Sequence, residues 1–394
     1  MMKMKREWII LFAGFFFLSG WMAKAREGTC YQSKTLSEVC QVNQDGFGDR
    51  ANKYAFSMAV YKDALYVGTL NIKKMPGMFR FFSATSAKRA TNGAQIWRYT
   101  PEQGWKQVVK DGLGNPHNLG VRSLKVIGEC LYGVTANHND GMEVWRTCDG
   151  EKWEQVAVGG FGNKSNTSGR GLGYFKDWIY VGVENRKSGA EIWRSKDGNK
   201  WERVAEKGLG DKGNWWVSDF AEFKGYLYLG TLNIKGAQLF RTKDGVNYEL
   251  LAKKGLEKFT NTAIMKLYVY QNQLYFSTMD FFLGSDLYRS QDGVNFERVL
   301  KKGFVNHHNA YIWQLQEYKG RLYAGTYYHK GFIMLPSGKF MLFSSKDGEN
   351  WILETDDGFG NKWYYGIRTM TTYQDWLVFG TASAKYGCKV FFAR

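Results

Sequence analysis

Histidine is scarce in this chain, five residues in 394, yet four of the five repeat one interval: 21 residues separate His117 from His138, and 21 separate His308 from His329. The fifth, His307, adjoins the second pair. An imidazole near its ordinary pKa moves a proton at neutral pH. Arg122, Arg170 and Arg186 lie in the same stretch of chain as the first pair, and a guanidinium holds a carboxylate through paired N–H donors. Together these groups suit β-elimination from a uronate sugar. A cation neutralises the carboxylate and so acidifies the C5 proton, a base removes that proton, and an acid helps expel the 4-linked sugar. The chemistry needs no metal or cofactor, and none is expected. A zinc-type site built from all four histidines would require the two pairs to meet.

What must position these residues is an internal repeat. The segments Leu65-Tyr66-Val67-Gly68-Thr69, Leu131-Tyr132, Ile179-Tyr180-Val181-Gly182, Leu227-Tyr228-Leu229-Gly230-Thr231, Leu274-Tyr275, Leu322-Tyr323-Ala324-Gly325-Thr326 and Leu377-Val378-Phe379-Gly380-Thr381 stack on one another, and the offsets from Leu131 to Leu322 are 48, 48, 47 and 48 residues. Each unit predicts four short strands: an apolar run such as Val121 to Ile127, the Leu-Tyr strand, a third such as Glu191-Ile192-Trp193-Arg194, and a fourth after a tight turn. Four strands per unit with aromatic and Gly punctuation is the pattern of a β-propeller blade. The fold class is all-β, a seven-bladed β-propeller, with no long amphipathic helix.

The turn before the fourth strand recurs as Thr147-Cys148-Asp149-Gly150, Ser195-Lys196-Asp197-Gly198, Thr242-Lys243-Asp244-Gly245, Ser290-Gln291-Asp292-Gly293 and Ser345-Lys346-Asp347-Gly348, always with Trp, Tyr or Phe three residues past the Gly. The Asp-Gly pair suits the positive φ of such turns. Here the chain resembles the Asp-box propellers of sialidases and many secreted glycan-active proteins, with a box one residue shorter than usual. The resemblance implies fold, and the Asp residues are read as structural. The last unit stops after its third strand, at Phe391-Phe392-Ala393-Arg394, whereas Leu36 to Asp49 matches the fourth strand and exit of other units. An N-terminal strand is therefore expected to close the ring and leave no sheet edge open. The first unit alone carries extra residues, Lys73 to Asn92, expected to form a loop.

Residues 1–25 read as a signal peptide: Lys3, Lys5 and Arg6, an apolar stretch from Trp8 to Met22, then Ala23-Lys24-Ala25. The mature domain spans 26–394, secreted or periplasmic, with no membrane span after cleavage. Cleavage removes four basic residues and one acidic, which lowers the formal charge from +17 to +14. That balance favours acidic partners, and for a secreted propeller an acidic polysaccharide rather than nucleic acid. Five cysteines fit an oxidising compartment. Cys130 and Cys148 flank one turn and are the expected disulfide, while among Cys30, Cys40 and Cys388 the spacing leaves the pairing open. Oligomeric state is not legible.

Counted from the reference Leu of each second strand, His117 and His308 lie 14 before, and His138 and His329 seven after. Positions 117 and 138 are symmetric about the hairpin turn, so each pair is expected to face across the ladder at one rim of the central channel, opposite the Asp-Gly turns. One residue after the first histidine address stand Asn52, Asn118, Asn166, Asn214, Asn261 and Asn309, a column read as structural, although Asn118 is also carried as a candidate contact. Nine before the reference, the column reads Phe56, Arg122, Arg170, Ser218, Met265, Trp313 and Arg368. Such variation beside repeating neighbours is what a ligand site on a repeating scaffold leaves.

At this point the chain resembles the ulvan lyases, seven-bladed propeller polysaccharide lyases whose sites use two histidines, a tyrosine and an arginine. His117 and His138 match the histidine spacing, and Arg186 stands where the neutralising arginine falls. Arg170 occupies the tyrosine's place, and Tyr174, on the same strand, is the substitute. The resemblance implies a secreted lyase of uronate-containing polysaccharide with His117, His138, Arg186, Arg170 and Tyr174 catalytic; Arg122, Asn118, His308, Trp313 and His329 are read from their repeat positions as binding substrate. The alternative is a non-catalytic glycan-binding propeller in which Trp313, Tyr327, Tyr328 and Trp363 stack on sugar rings.

Overall fold

The computed structural model of the protein describes residues 29–73, 91–329 and 338–394. The expected signal peptide and residues 74–90 of the first-blade insertion lie outside the described residues. Among the described residues, the strands group into seven antiparallel units of four. In blade 3, for example, Ser168–Phe175 pairs with Trp178–Glu184, that strand with Ile192–Ser195, and the last with Glu202–Ala205.

Neighbouring blades meet where a second strand ends and the next first strand begins. Leu70 lies opposite Gly120, Ala136 opposite Ser168, Glu184 opposite Trp216, and so on to Ala382 opposite Tyr54, which closes the circle. The seventh blade is completed as the sequence requires: Val39–Gln41 pairs with Val390–Ala393, with Val39 opposite Ala393 and Gln41 opposite Phe391. Cys30–Tyr31 adds a further outer strand. Cys30 is bonded to Cys40 and Cys130 to Cys148. That leaves Cys388 buried as a free thiol, its pKa pushed up by desolvation.

The repeat is explained by how blades touch. The reference Leu is fully buried in every blade that carries one. Gly230, three residues on, is small because Ile264 of the next blade packs against it; a Cβ there would lie 2.4 Å from an Ile264 carbon. The Tyr after the reference residue reaches the Asp-Gly turn of the next blade. Gly245, at φ +79°, stands so close to the Tyr180 hydroxyl that a Cβ would lie 1.8 Å from it. In that turn Asp244 accepts the backbone N–H groups of Val246 and Asn247 at 2.9 and 2.8 Å, and Thr242 Oγ1 donates to it at 3.0 Å. The Asn column is structural throughout. Asn118 Nδ2 donates to the Gly112 carbonyl at 2.9 Å and to Glu143 at 2.6 Å, and Asn166, Asn214, Asn261 and Asn309 bond the equivalent glycine carbonyls.

Candidate functional site

Every first strand slips register against its partner at one shared repeat position: Phe56, Arg122, Arg170, Ser218, Met265, Trp313 and Arg368. A β-bulge leaves its extra residue outside the ladder and re-aims the side chain. All seven bulge residues line one cavity of about 160 Å³ between the first strands. The column that varies in the sequence is thus the column the backbone turns towards the channel.

One side of this channel is charged. Glu184, at the end of the second strand of blade 3, is buried between two arginines: Arg170 Nε donates to one carboxylate oxygen at 2.7 Å and Arg186 Nε to the other at 2.6 Å. Burial alone would raise the Glu184 carboxyl. Arg170, Arg186, His138 and Arg122 together overcome that and hold it well below the usual carboxylate range. The Arg170 guanidinium also lies 3.5 Å from the Trp216 ring centre. The other side is aromatic. Tyr311 and Tyr327 stack at 4.2 Å, Trp313 meets Tyr327 edge-on at 5.0 Å, and the Tyr365 hydroxyl donates to that of Tyr54 at 2.7 Å. Burial pushes the Tyr311, Tyr327 and Tyr365 phenols well up, so all are neutral at physiological pH.

The two histidine pairs share a rim but differ in geometry. His308 and His329 face each other as expected, with ring centres 5.4 Å apart and the His329 N–H on the His308 carbonyl at 3.0 Å. Burial, then His307, lowers the His308 pKa. Among the described residues no such ring contact joins His117 to His138. His117 is exposed and its Nδ1 lies 2.8 Å from Asp140. The reason is in the ladder. Blade 6 has a second slip between Asn309 and Tyr311, which brings His308 opposite His329, whereas the blade 2 ladder has one slip and ends at Gly120 opposite Ala136.

Three further expectations are corrected. Tyr174 stands beside the hairpin turn at the opposite end of its strand, opposite Ile179, exposed and bonded to Asp177 at 3.1 Å. At about 3.3 Å per residue it is more than 10 Å along the strand from Arg170. Asn118 is fully buried, its amide bonded to the Gly112 carbonyl and Glu143, a structural rather than an open position. Trp313 and Tyr327, at 7% and 5% exposure, are packed inside and offer no open ring to a sugar on the rim, while Phe259 and Phe282 of blade 5 are exposed. Arg122, Arg170 and Trp313 do line the channel, and Arg186, like Arg170, is bonded to Glu184, whose charge His138 also stabilises.

Sequence reasoning missed Glu184 and Asp140. A signal for Glu184 existed: five residues after the reference the column reads Leu70, Ala136, Glu184, Leu232, Met279, Tyr327 and Ala382, with one charge in seven.

No protein-family profile and no curated protein matches the sequence. Solved structures match by shape. Chaetomium thermophilum Raptor aligns over 94% of this chain and 29% of its own at 11% identity and TM-score 0.54. Saccharomyces cerevisiae Sqt1 aligns over 89% and 99% at 11% identity and TM-score 0.51. An acylaminoacyl peptidase in complex with a chloromethyl ketone aligns over 88% of this chain at 11% identity and TM-score 0.50, and the present chain spans about half its length, 52%. At such identities the likeness establishes the propeller fold alone.

Proposed function

We propose that the protein engages an acidic, uronate-bearing polysaccharide outside the cell, across the channel mouth formed by blades 2 and 3. The observation that carries this reading is the pairing of Arg170 and Arg186 with the single carboxylate of Glu184, whose charge His138 also stabilises. The basic groups there outnumber the acid, and the surrounding chain is strongly basic, +17 before any processing. A guanidinium already fixed by one carboxylate is preorganised and recognises a second with little loss of side-chain freedom. Two disulfides fit an oxidising compartment.

The catalytic version of this reading is β-elimination. Arg186 neutralises the uronate, His138 takes the C5 proton, and His117, oriented by Asp140, protonates the leaving oxygen. Tyr174 has no part in it. The resemblance to ulvan lyases and to Asp-box propellers belongs to this proposal. A non-catalytic reading is favoured by one observation, the exposed Phe259 and Phe282 rings on the same rim, which suit stacking on sugar faces.

The test is direct. The protein is incubated with ulvan, alginate, pectin and glycosaminoglycans, with ultraviolet absorbance of unsaturated uronate and affinity electrophoresis followed in parallel. New absorbance supports the lyase, retardation without absorbance supports the binding module, and neither response to any of the four polymers rejects the proposal.

A further inference from the structure

Deeper than the rim, the bulge ring holds a second feature that the polysaccharide reading does not use. Three of its seven residues are arginines, and two of these, Arg122 and Arg368, have no carboxylate within ion-pair distance among the described residues. Their planes are held by aromatic rings: Arg122 lies 4.8 Å from the Phe56 centre, and Arg368 lies 4.7 Å from Phe56 and 5.0 Å from Trp313. Stacking fixes a guanidinium while leaving its N–H edge to bind something else. The Arg368 Nε is shielded from solvent and has no hydrogen-bond partner. Nearby acids do not answer the charge, since Glu184 is held by Arg170 and Arg186, and Asp219 by Lys266 at 2.9 Å. The cavity wall carries four basic side chains, Arg122, Arg170, Lys266 and Arg368, against the one acid Asp219.

Like charges gathered in a confined space repel, and burial adds to the cost unless a counter-charge is present. The strain registers on the arginines themselves: desolvation, then Arg170 and Arg368, hold Arg122 well below its ordinary pKa, and Arg368 is drawn down to about 10, again first by burial. Neutralising the guanidinium is one way to relieve such a cluster. A bound anion is the other, and it also satisfies the open donor of Arg368. With about 160 Å³ available and roughly 30 Å³ per water, the space suits one small oxyanion with a few waters and excludes a polymer backbone.

We propose that the central channel is an oxyanion-binding site in which Arg122 and Arg368, assisted by Arg170, hold a single sulfate, phosphate or carboxylate group inside the ring of bulges. The ligand has two sources with the same chemistry: a free inorganic ion, or an acidic substituent at the end of a sugar chain that reaches in from the mouth. The site is independent of whether a polymer binds the rim.

The experiment is isothermal titration calorimetry of the full chain in a chloride buffer against sodium sulfate, sodium phosphate, glucuronate and a sulfated disaccharide, repeated with Arg368→Gln, Arg122→Gln and the control Arg241→Gln, whose guanidinium sits on the surface against Glu249. The proposal expects saturable binding of one anion per chain. Losing a charge-assisted contact should weaken it roughly tenfold or more in either channel variant, with the control unchanged. Arg368→Lys, which keeps the charge, should retain part of the affinity if the Gln variant fails to fold. Tight binding of the inorganic ions identifies a free ion as ligand, and preference for the sugar acids identifies a chain terminus. No saturable binding of any of the four, or binding equal in all variants, overturns the proposal. Anion binding without polymer binding retains this site and rejects the rim reading, and polymer binding unaffected by Arg368→Gln together with no anion binding does the reverse.

Discussion

The charged and aromatic sides of the channel occupy the same repeat positions on the same backbone, yet they solve the burial problem in opposite ways. On blade 3 the position five residues past the reference is Glu184, held by two guanidinium groups; on blade 6 it is Tyr327, stacked on Tyr311. The aromatic side is self-sufficient, since its polar hydroxyls bond one another and its rings fill the space. The charged side is complete only as a set, because removing one member strands the others in a region poor in water. One side is thus built to stay as it is, and the other retains the capacity to respond to an incoming charge.

Glu184→Gln tests that contrast most severely. It leaves Arg170 and Arg186 without their anion and is expected to cost about 3–5 kcal/mol, read as a shift in the urea midpoint. A loss below about 1 kcal/mol, the ordinary worth of one net hydrogen bond, would mean that the arginines are not dependent on it. Next, His138→Gln on the charged side is expected to reduce any β-elimination about a hundredfold or more while His329→Gln, facing the aromatic side, leaves it unchanged; equal losses would erase the distinction between the two histidine pairs. Tyr365→Phe removes the bond to Tyr54 and is expected to cost about 0.5–1.5 kcal/mol, with no effect on anion binding. The smallest effect is on neither side. Two backbone N–H bonds lower Asp197 to about 2 from its usual 3.8. A depressed folded-state pKa contributes stability above the unfolded value, so a contribution present at neutral pH should fade as pH falls from about 4 towards about 2. Acid titration of Asp197→Asn should show that slope flattened.

The blades were legible because each unit repeats its own contacts. The buried Leu, the Gly beneath the neighbour's Ile264, the Tyr180 hydroxyl against Gly245 and the Asn on a glycine carbonyl are all local demands, so each left its mark in every copy. The N-terminal closing strand was legible for the same reason. The facing of His117 and His138 was not. The pair is symmetric about Ile127-Gly128, whereas the ladder turns at Gly128-Glu129, so the two positions face only where two slips intervene, and bulges change pairing without changing the number of residues between landmarks. One slip in blade 2 and two in blade 6 separate cases that have identical spacing. Tyr174 failed on distance, since a shared strand face does not imply proximity along the strand. Glu184 is legible only as the odd member of its own column, because the residue types that suggest the chemistry are cations and the anion that organises them carries the opposite charge.

The closure of the seventh blade has a consequence in time. Val39–Gln41 finds its partner in Val390–Ala393, so an early segment of the chain must wait for nearly the whole remainder to be made before the sheet is whole. Pairings so distant in sequence form late and slowly, and until then both the first and last blades expose raw strand edges. The Cys30–Cys40 bond ties Cys30–Tyr31 to the waiting strand. It spans few enough residues to form before the far end arrives, like a latch cocked ahead of its door.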